Sequence, residues 1–305
     1  MSQARHAALP GTRLTTYLEL EKLVQAFARG HLNLLILIGG HGLGKSRIVR
    51  QALAGPACWL EGNLSVFGLY CQLWEYRNLP VVLDDVDGLY AQRDGVRLLK
   101  CLTQSEPLKS VSWHTDAPTL QRQAIPQEFP TSSRVAIIAN EWKMLNRNVA
   151  ALHDRGHVLF FEPSPLEVHR QTATWFWDQD IFDFVGARLP WLVEASMRHY
   201  LAAWELKQAG LDWRSLLLSR CLSGRALLVA QVQADPQYRS EAERVEAFLA
   251  AGGGSRSTYF NWSRKLQAPV TSSAICLRNQ PPVANAAYTD LFRNLGRRHG
   301  LFGEN

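Results

Sequence analysis

Apolar residues along this chain fall into two kinds of run. Short continuous runs closed by glycine or acid alternate with longer stretches of helical period. Leu14, Tyr17, Leu18, Val24 and Phe27 recur near helical spacing, which predicts an amphipathic helix over 14–29. Leu34 to Ile38 is wholly apolar and ends at Gly39-Gly40. A run so short and so apolar predicts a parallel strand buried on both faces. Ser46 to Leu53 predicts a helix stopped by Gly55-Pro56, and Trp59-Leu60 a short strand. Val66 to Tyr76 and Val96 to Thr103 carry helical patterns. Pro80 to Leu83, Arg134 to Ala139 and His157 to Phe161 read as further buried strands. Strands alternating with helices predict an α/β fold with a three-layer parallel sheet.

Two segments depart from that alternation. Residues 105–132 hold four prolines and no clean period, which predicts a long loop or small insertion. After Pro163-Ser164-Pro165 the strand signal stops, and 166–220 carries aromatics and leucines at helical spacing. That reads as an all-helical domain. A second helical unit spans about 240–267, and the chain beyond Pro269 is loop-like. The expected division is a core over 1–163, a helical lid over 164–235, a small helical unit over 236–268 and a tail over 269–305.

Composition narrows the class. Of 305 residues, 47% are hydrophobic and 20% charged, so the chain can bury a core and is not of disordered type. No apolar run approaches the roughly 20 residues that span a bilayer, and the first residues lack a secretory pattern. A soluble cytoplasmic protein is expected. Cys58, Cys71, Cys101, Cys221 and Cys276 form no CxxC pair, and reduced thiols are expected. The net charge of +6 is uneven. From Ala251 onward Arg256, Arg264, Lys265, Arg278, Arg293, Arg297 and Arg298 face only Asp290 and Glu304. Such asymmetry suits a nucleic-acid-facing end, or a solvated basic surface.

The candidate chemistry begins at Gly39-Gly40-His41-Gly42-Leu43-Gly44-Lys45-Ser46, the pattern of a phosphate-binding loop between a strand and a helix. Glycines let the backbone N–H groups turn toward phosphate oxygens, and the following helix adds the positive end of its dipole. Arg47 continues into that helix. Lys45 is expected to neutralise the β- and γ-phosphates, and Ser46 to hold Mg²⁺. Asp84 ends a buried strand, where a carboxylate is costly unless it has work to do. It is the expected second group for the magnesium shell. Asp85 follows it as the candidate base for the attacking water.

With these residues in order, the chain resembles the AAA+ superfamily of P-loop ATPases over about residues 14–205. The resemblance implies ATP and Mg²⁺ as cofactors. It implies that Asn140, ending the strand RVAIIA, orients water against the γ-phosphate. In ALHDRGHVLFF it implies that Arg155, with Arg147 as second candidate, reaches a neighbouring subunit's nucleotide. Arg198, in a helix after Pro190-Trp191-Leu192, resembles the lid arginine that touches the γ-phosphate. The chain departs from the commonest pattern in carrying Asp rather than Glu at 85 and in the proline-rich 105–132 stretch.

The last helices carry a second signal. Glu241 to Ala250, then Gly252-Gly253-Gly254, then Ser257 to Leu266 is a helix–turn–helix outline. Arg256, Ser257, Thr258, Tyr259, Asn261, Arg264 and Lys265 are expected on the outer face of the second helix, types suited to phosphates and base edges. In the 105–132 stretch, Lys109, Trp113, His114 and Arg122 could line a pore or sit on an ordinary surface loop. The expected function is an ATP-hydrolysing protein that forms homo-oligomers in ATP and acts on DNA. It could equally act on a DNA-bound partner such as a helicase, transposase or initiator. The alternative is a nucleotide-driven switch or remodeller whose C-terminal hairpin docks a protein. Neither reading involves a membrane.

Overall fold

The structure is a computed structural model, and it describes residues 11–115, 118–141 and 155–267. Arg147, Cys276 and the tail arginines Arg278, Arg293, Arg297 and Arg298 lie outside the described residues. The chain divides into two compact units, Met1–Pro163 and Ser164–Asn305.

The first unit is built on a parallel sheet. Its strands are β1 (Thr12–Leu14), β2 (Leu34–Gly39), β3 (Cys58–Glu61), β4 (Val81–Asp84), β7 (Val135–Ala139) and β8 (His157–Phe161). They lie in the order β1-β8-β2-β7-β4-β3, every pairing parallel. Every residue of β2 and β7 is buried, as expected of strands covered on both faces. The helices are α1 (Tyr17–Ala28), α2 (Lys45–Ala52), α3 (Val66–Glu75), the single turn α4 (Asp87–Tyr90) and α5 (Arg93–Leu102). α1 starts at Thr16, whose side chain accepts from the Glu19 N–H while Glu19 bonds back to the Thr16 N–H. That capping box leaves Thr12–Leu14 free to pair with β8, so β1 stands where the helical pattern had been extended to residue 14.

Of the two forms expected of the 105–132 stretch, a long loop or a small insertion, the structure shows a folded insertion. β5 (Lys109–Ser112) and β6 (Glu128–Thr131) form an antiparallel pair joined through the short helix α6 (Pro118–Arg122). Val111 and Phe129 face each other across the pair and both are buried. Trp113 packs beside Tyr70 and Phe67, with ring centroids 6.2 Å and 6.3 Å apart. Lys109 is almost fully buried rather than poised at a surface. Its ammonium donates to the Asn33 side chain and to the Ser133 carbonyl, and Asn33 in turn donates to the Gln104 carbonyl at 2.6 Å. Burial lowers its pKa to about 8. His114 and Arg122 are exposed.

The second unit is helical throughout its described residues. It runs α7 (Pro165–Trp175), α8 (Gln179–Gly186), α9 (Met197–Gln208), α10 (Trp213–Cys221), α11 (Gly224–Ala234), α12 (Glu241–Ala250) and α13 (Arg256–Gln267). One core gathers Phe176, Phe182, Tyr200 and Trp213. His169 is buried there, stacked on Phe182 at 3.8 Å and bonded to the Tyr200 hydroxyl at 2.7 Å. Burial lowers its pKa to about 4, so it packs as a neutral ring. A second core joins α10 to α13 through Leu218, Val229, Phe248 and Tyr259. No helix among the described residues is long and apolar enough to cross a membrane.

Candidate nucleotide-binding site

In a parallel sheet all strands present their C-terminal ends along one edge, where ligands of such folds bind. β2, β4 and β7 lie side by side there, bringing together the phosphate loop, Asp84-Asp85 and Asn140. The loop turns through left-handed backbone at Gly42 (φ 67°) and Gly44 (φ 74°), conformations that glycine adopts without steric cost. Gly44 is the N-cap of α2, and no side chain caps that end. The first-turn N–H groups of α2 therefore face the concavity of the loop, where an anion suits them.

The side chains form two linked sets, one of three residues and one of two. Lys45 is buried, and its ammonium donates to the carbonyls of Gly39 at 2.7 Å and Gly40 at 2.8 Å, and to Asn140 Oδ1 at 3.1 Å. Asn140 Nδ2 then donates to Asp85 Oδ1 at 2.8 Å. The Asn140 amide thus has its orientation set at both ends, by a cation and an anion. Asp85 adopts φ 52°, a left-handed conformation costing roughly 1 kcal/mol outside glycine. Its N–H donates to the Ile138 carbonyl at 3.2 Å, which holds that turn against β7. The second set is Ser46, hydrogen-bonded to Asp84. Burial of Asp84 raises its pKa; the bond from Ser46 opposes the rise, and the nearby Asp85 and Glu61 charges add to it. A desolvated carboxylate beside a hydroxyl offers hard oxygen donors, which fit Mg²⁺.

Of the remaining expected residues, Leu43 is buried, Arg47 half-buried and His41 exposed. The Leu43 carbonyl accepts from the Tyr17 hydroxyl at 3.0 Å. Tyr17 is buried against Phe161, their rings 4.9 Å apart edge to face. Sequence pattern marks Tyr17 only as a core position, and its tie to the phosphate loop crosses 26 residues with no local motif.

Arg155 stands elsewhere. His157 pairs with Leu35 and Phe161 with Gly39, so Arg155 precedes the N-terminal end of β8. At about 3.3 Å per residue it lies roughly 20 Å along the strand from the phosphate loop. Its guanidinium donates to the Lys100 carbonyl at 2.6 Å, at the end of α5. Arg198 is exposed in the first turn of α9, in the helical unit. On α13, Arg256, Ser257, Asn261, Arg264 and Lys265 are exposed and Thr258 is half-buried. Tyr259 departs from the expected outer face: it is fully buried, packed on Phe248 at 5.5 Å.

Fold and site together define a class, a parallel α/β sheet carrying a phosphate-binding loop at its C-terminal edge, the fold of P-loop nucleotide-binding proteins. No protein-family model matches the chain. It is 29% identical over 127 residues to an uncharacterised 36.7 kDa protein from the nrdC-mobD intergenic region of Enterobacteria phage T4, a match spanning 39% of each chain. Among solved structures, it is similar to Cdc6p from Pyrobaculum aerophilum at 15% identity, covering 82% of this chain and 84% of that one with a TM-score of 0.41. NtrX from Brucella abortus, solved with ATP, is 14% identical over 85% of this chain and 68% of its own, with a TM-score of 0.45. The class rests on the sheet order and the loop geometry described above.

Proposed function

We propose that the chain binds ATP with Mg²⁺, hydrolyses it, and uses the cycle in the cytoplasm on DNA or a DNA-bound partner through homo-oligomers formed in ATP. The observation that carries the reading is the pair of side-chain links at one strand edge, Ser46 with Asp84 and Lys45 with Asn140 and Asp85. Nucleotide phosphates would draw Lys45 off its own loop carbonyls, because a phosphate is a stronger acceptor for an ammonium. Ser46 and Asp84 would hold the metal ion, which when bound neutralises charge on the phosphates. Asn140, released at its Oδ1 end, would keep its hold on Asp85 and orient a water toward the site. Asp85 would accept that water's proton.

The cation that stabilises transferred charge would come from a neighbouring copy. Arg155 supports this by lying at the far end of its own sheet, out of reach of its own loop. The DNA-facing part of the reading rests on the basic C-terminal region, where three of the seven cations fall on α13.

The test is ATP turnover with no DNA, with duplex and with single-stranded DNA, paired with a size measurement in ATP and in ADP. The expected result is Mg²⁺-dependent turnover that DNA alters, and a larger species in ATP. Turnover indifferent to DNA, with no salt-sensitive DNA binding, would move the reading to a protein remodeller whose C-terminal hairpin docks a protein.

A further inference from the structure

The burial of Tyr259 redraws the face of α13. Tyr259, Ser263 and Leu266 point inward, and Ser263 accepts from Gln233 Nε2 at 2.8 Å. Trp262 lies half-buried beside Trp191, ring centroids 5.2 Å apart. These inward residues fix the rotation of the helix. What remains outside is two parallel stripes at four-residue steps, Arg256–Phe260–Arg264 and Ser257–Asn261–Lys265. The Arg256 guanidinium lies 5.8 Å from the Phe260 ring, and the Lys265 ammonium 4.8 Å from the Trp262 ring.

Charge is segregated between the two helices of the hairpin. α13 carries Arg256, Arg264 and Lys265 and no carboxylate. α12 carries Glu241, Glu243 and Glu246, all exposed, against the single cation Arg244, which pairs with Glu241 at 3.3 Å. A polyanion therefore suits α13 and not α12. Shape narrows the partner further. The major groove of duplex DNA, about 12 Å wide, admits an α-helix, and along such a helix Arg256 and Arg264 stand about 12 Å apart, each within reach of backbone phosphates. Between the two arginines stand Phe260 and Asn261. An asparagine side chain can pair with an adenine edge, and an aromatic ring can pack on a thymine methyl.

We infer that this face of α13 enters the major groove of duplex DNA. Phe260 and Asn261 meet base edges, and Arg256, Arg264 and Lys265 meet phosphates on either side. The inference rests on the DNA reading proposed above; it removes Thr258 and Tyr259 from the expected contacts, keeps Asn261 and adds Phe260.

The experiment uses the full chain, with fluorescence anisotropy on a randomised duplex pool across a salt series and on single strands of the same length. Preferred duplexes are then selected from the pool. Arg256→Ala, Arg264→Ala, Phe260→Ala and Asn261→Ala are compared after circular dichroism confirms their fold. Each arginine variant is expected to weaken duplex binding several-fold and to shorten the log–log salt slope by about 1. Asn261→Ala is expected to keep that slope and lose about 10-fold discrimination at an A·T position. Salt-sensitive DNA binding unchanged in both arginine variants would overturn this face while leaving the DNA reading standing. Equal binding of duplex and single strand without base preference would overturn groove entry. Absence of any DNA binding at low salt, as a surface for an acidic protein would give, would overturn both readings.

Discussion

Asp84 is a test case for a residue that costs the fold something in exchange for its site. It is 7% exposed, and burial raises its pKa above the ordinary 3.8 because the charged form is desolvated. Its hydrogen bond from Ser46 offsets part of that cost; Asp85 and Glu61 add to it. Asp84→Asn keeps an oxygen for Ser46 and removes the charge. Without nucleotide or metal, the variant should therefore be the more stable protein, within the roughly 0.5–2 kcal/mol that single stabilising substitutions commonly give. At about 2–4 °C per kcal/mol, the melting temperature of the first unit should rise by a few degrees. The pH dependence has a definite sign. A raised carboxyl pKa means that the folded protein binds the proton more tightly than the unfolded chain does. Wild-type stability from this group is therefore present at acid pH and falls as pH rises through the folded pKa. The gap between variant and wild type should be near zero below about pH 4 and open toward neutrality. With ADP and Mg²⁺ the order should reverse. A ligand at 100 times its Kd adds about 2.7 kcal/mol, and the Mg²⁺-dependent part of that gain should be missing from Asp84→Asn. Thermal unfolding from pH 4 to 8, with ADP alone, Mg²⁺ alone and both, reads all of this. An Asp84→Asn protein no more stable than wild type at pH 7, or one still stabilised further by Mg²⁺, would refute the reasoning.

Four further outcomes follow from the same geometry. Lys45→Ala should reduce nucleotide binding by at least 100-fold, whereas Asp85→Asn should bind ATP as wild type does and lose turnover; isothermal titration and phosphate release separate the two. Tyr17→Phe removes the hydroxyl that holds the Leu43 carbonyl, a neutral hydrogen bond of about 1 kcal/mol. It should weaken ATP binding about three- to ten-fold while leaving turnover at saturation unchanged, and a change in turnover alone would sink the positioning role. Arg155→Ala should bind ATP normally and hydrolyse it poorly, and mixing it with Asp85→Asn should restore activity if each supplies what the other lacks. Lys109 has its pKa lowered to about 8 from 10.5 by burial, so its charged form is disfavoured in the fold. Wild-type stability should therefore rise relative to Lys109→Met between pH 8 and 10.5, measured by chemical denaturation.

The strands that carry the site were legible because a strand covered on both faces must be apolar throughout. β2, β4, β7 and β8 announce themselves in that way, and the acids or glycines that end them mark the binding edge. β1 was not legible, since its three residues bury only Leu14 and its pairing depends on β8, far along the chain. The strands inside the insertion were hidden for a related reason. Its strands each bury alternate residues, and Pro130 and the buried Lys109 break the expected code of polar outside and apolar inside. Lys109 is tolerated only because Asn33 and Ser133, distant in sequence, accept its protons. On α13 the inward stripe includes Ser263, so the apolar period is interrupted and Tyr259 reads as a polar surface residue. In each case the deciding partner lies beyond the reach of any local window.

The same topological rule that assembles the candidate site also divides it. In a parallel sheet, any residue just after a strand reaches one edge, and any residue just before a strand reaches the other. Ser46 and Lys45 follow β2, Asp85 follows β4 and Asn140 follows β7, so these groups meet although up to 95 residues separate them. Arg155 precedes β8, and the parallel pairing of β8 with β2 sends it to the opposite edge. No side-chain rotation can offset a displacement of roughly 20 Å. A guanidinium at that edge can take part in chemistry only at another chain's loop, which is why assembly belongs to the proposed function. The bond from Arg155 to the Lys100 carbonyl adds a local consequence. Lys100 sits in the last turn of α5, whose chain continues directly into the Lys109 clamp that fixes β5 to the base of the sheet. Arg155 and the Lys109 clamp thus hold the two ends of one stretch of chain, Lys100 to Lys109, and under the proposed in-trans role of Arg155 a substitution that loosens Lys109 should lower turnover before it lowers ATP binding.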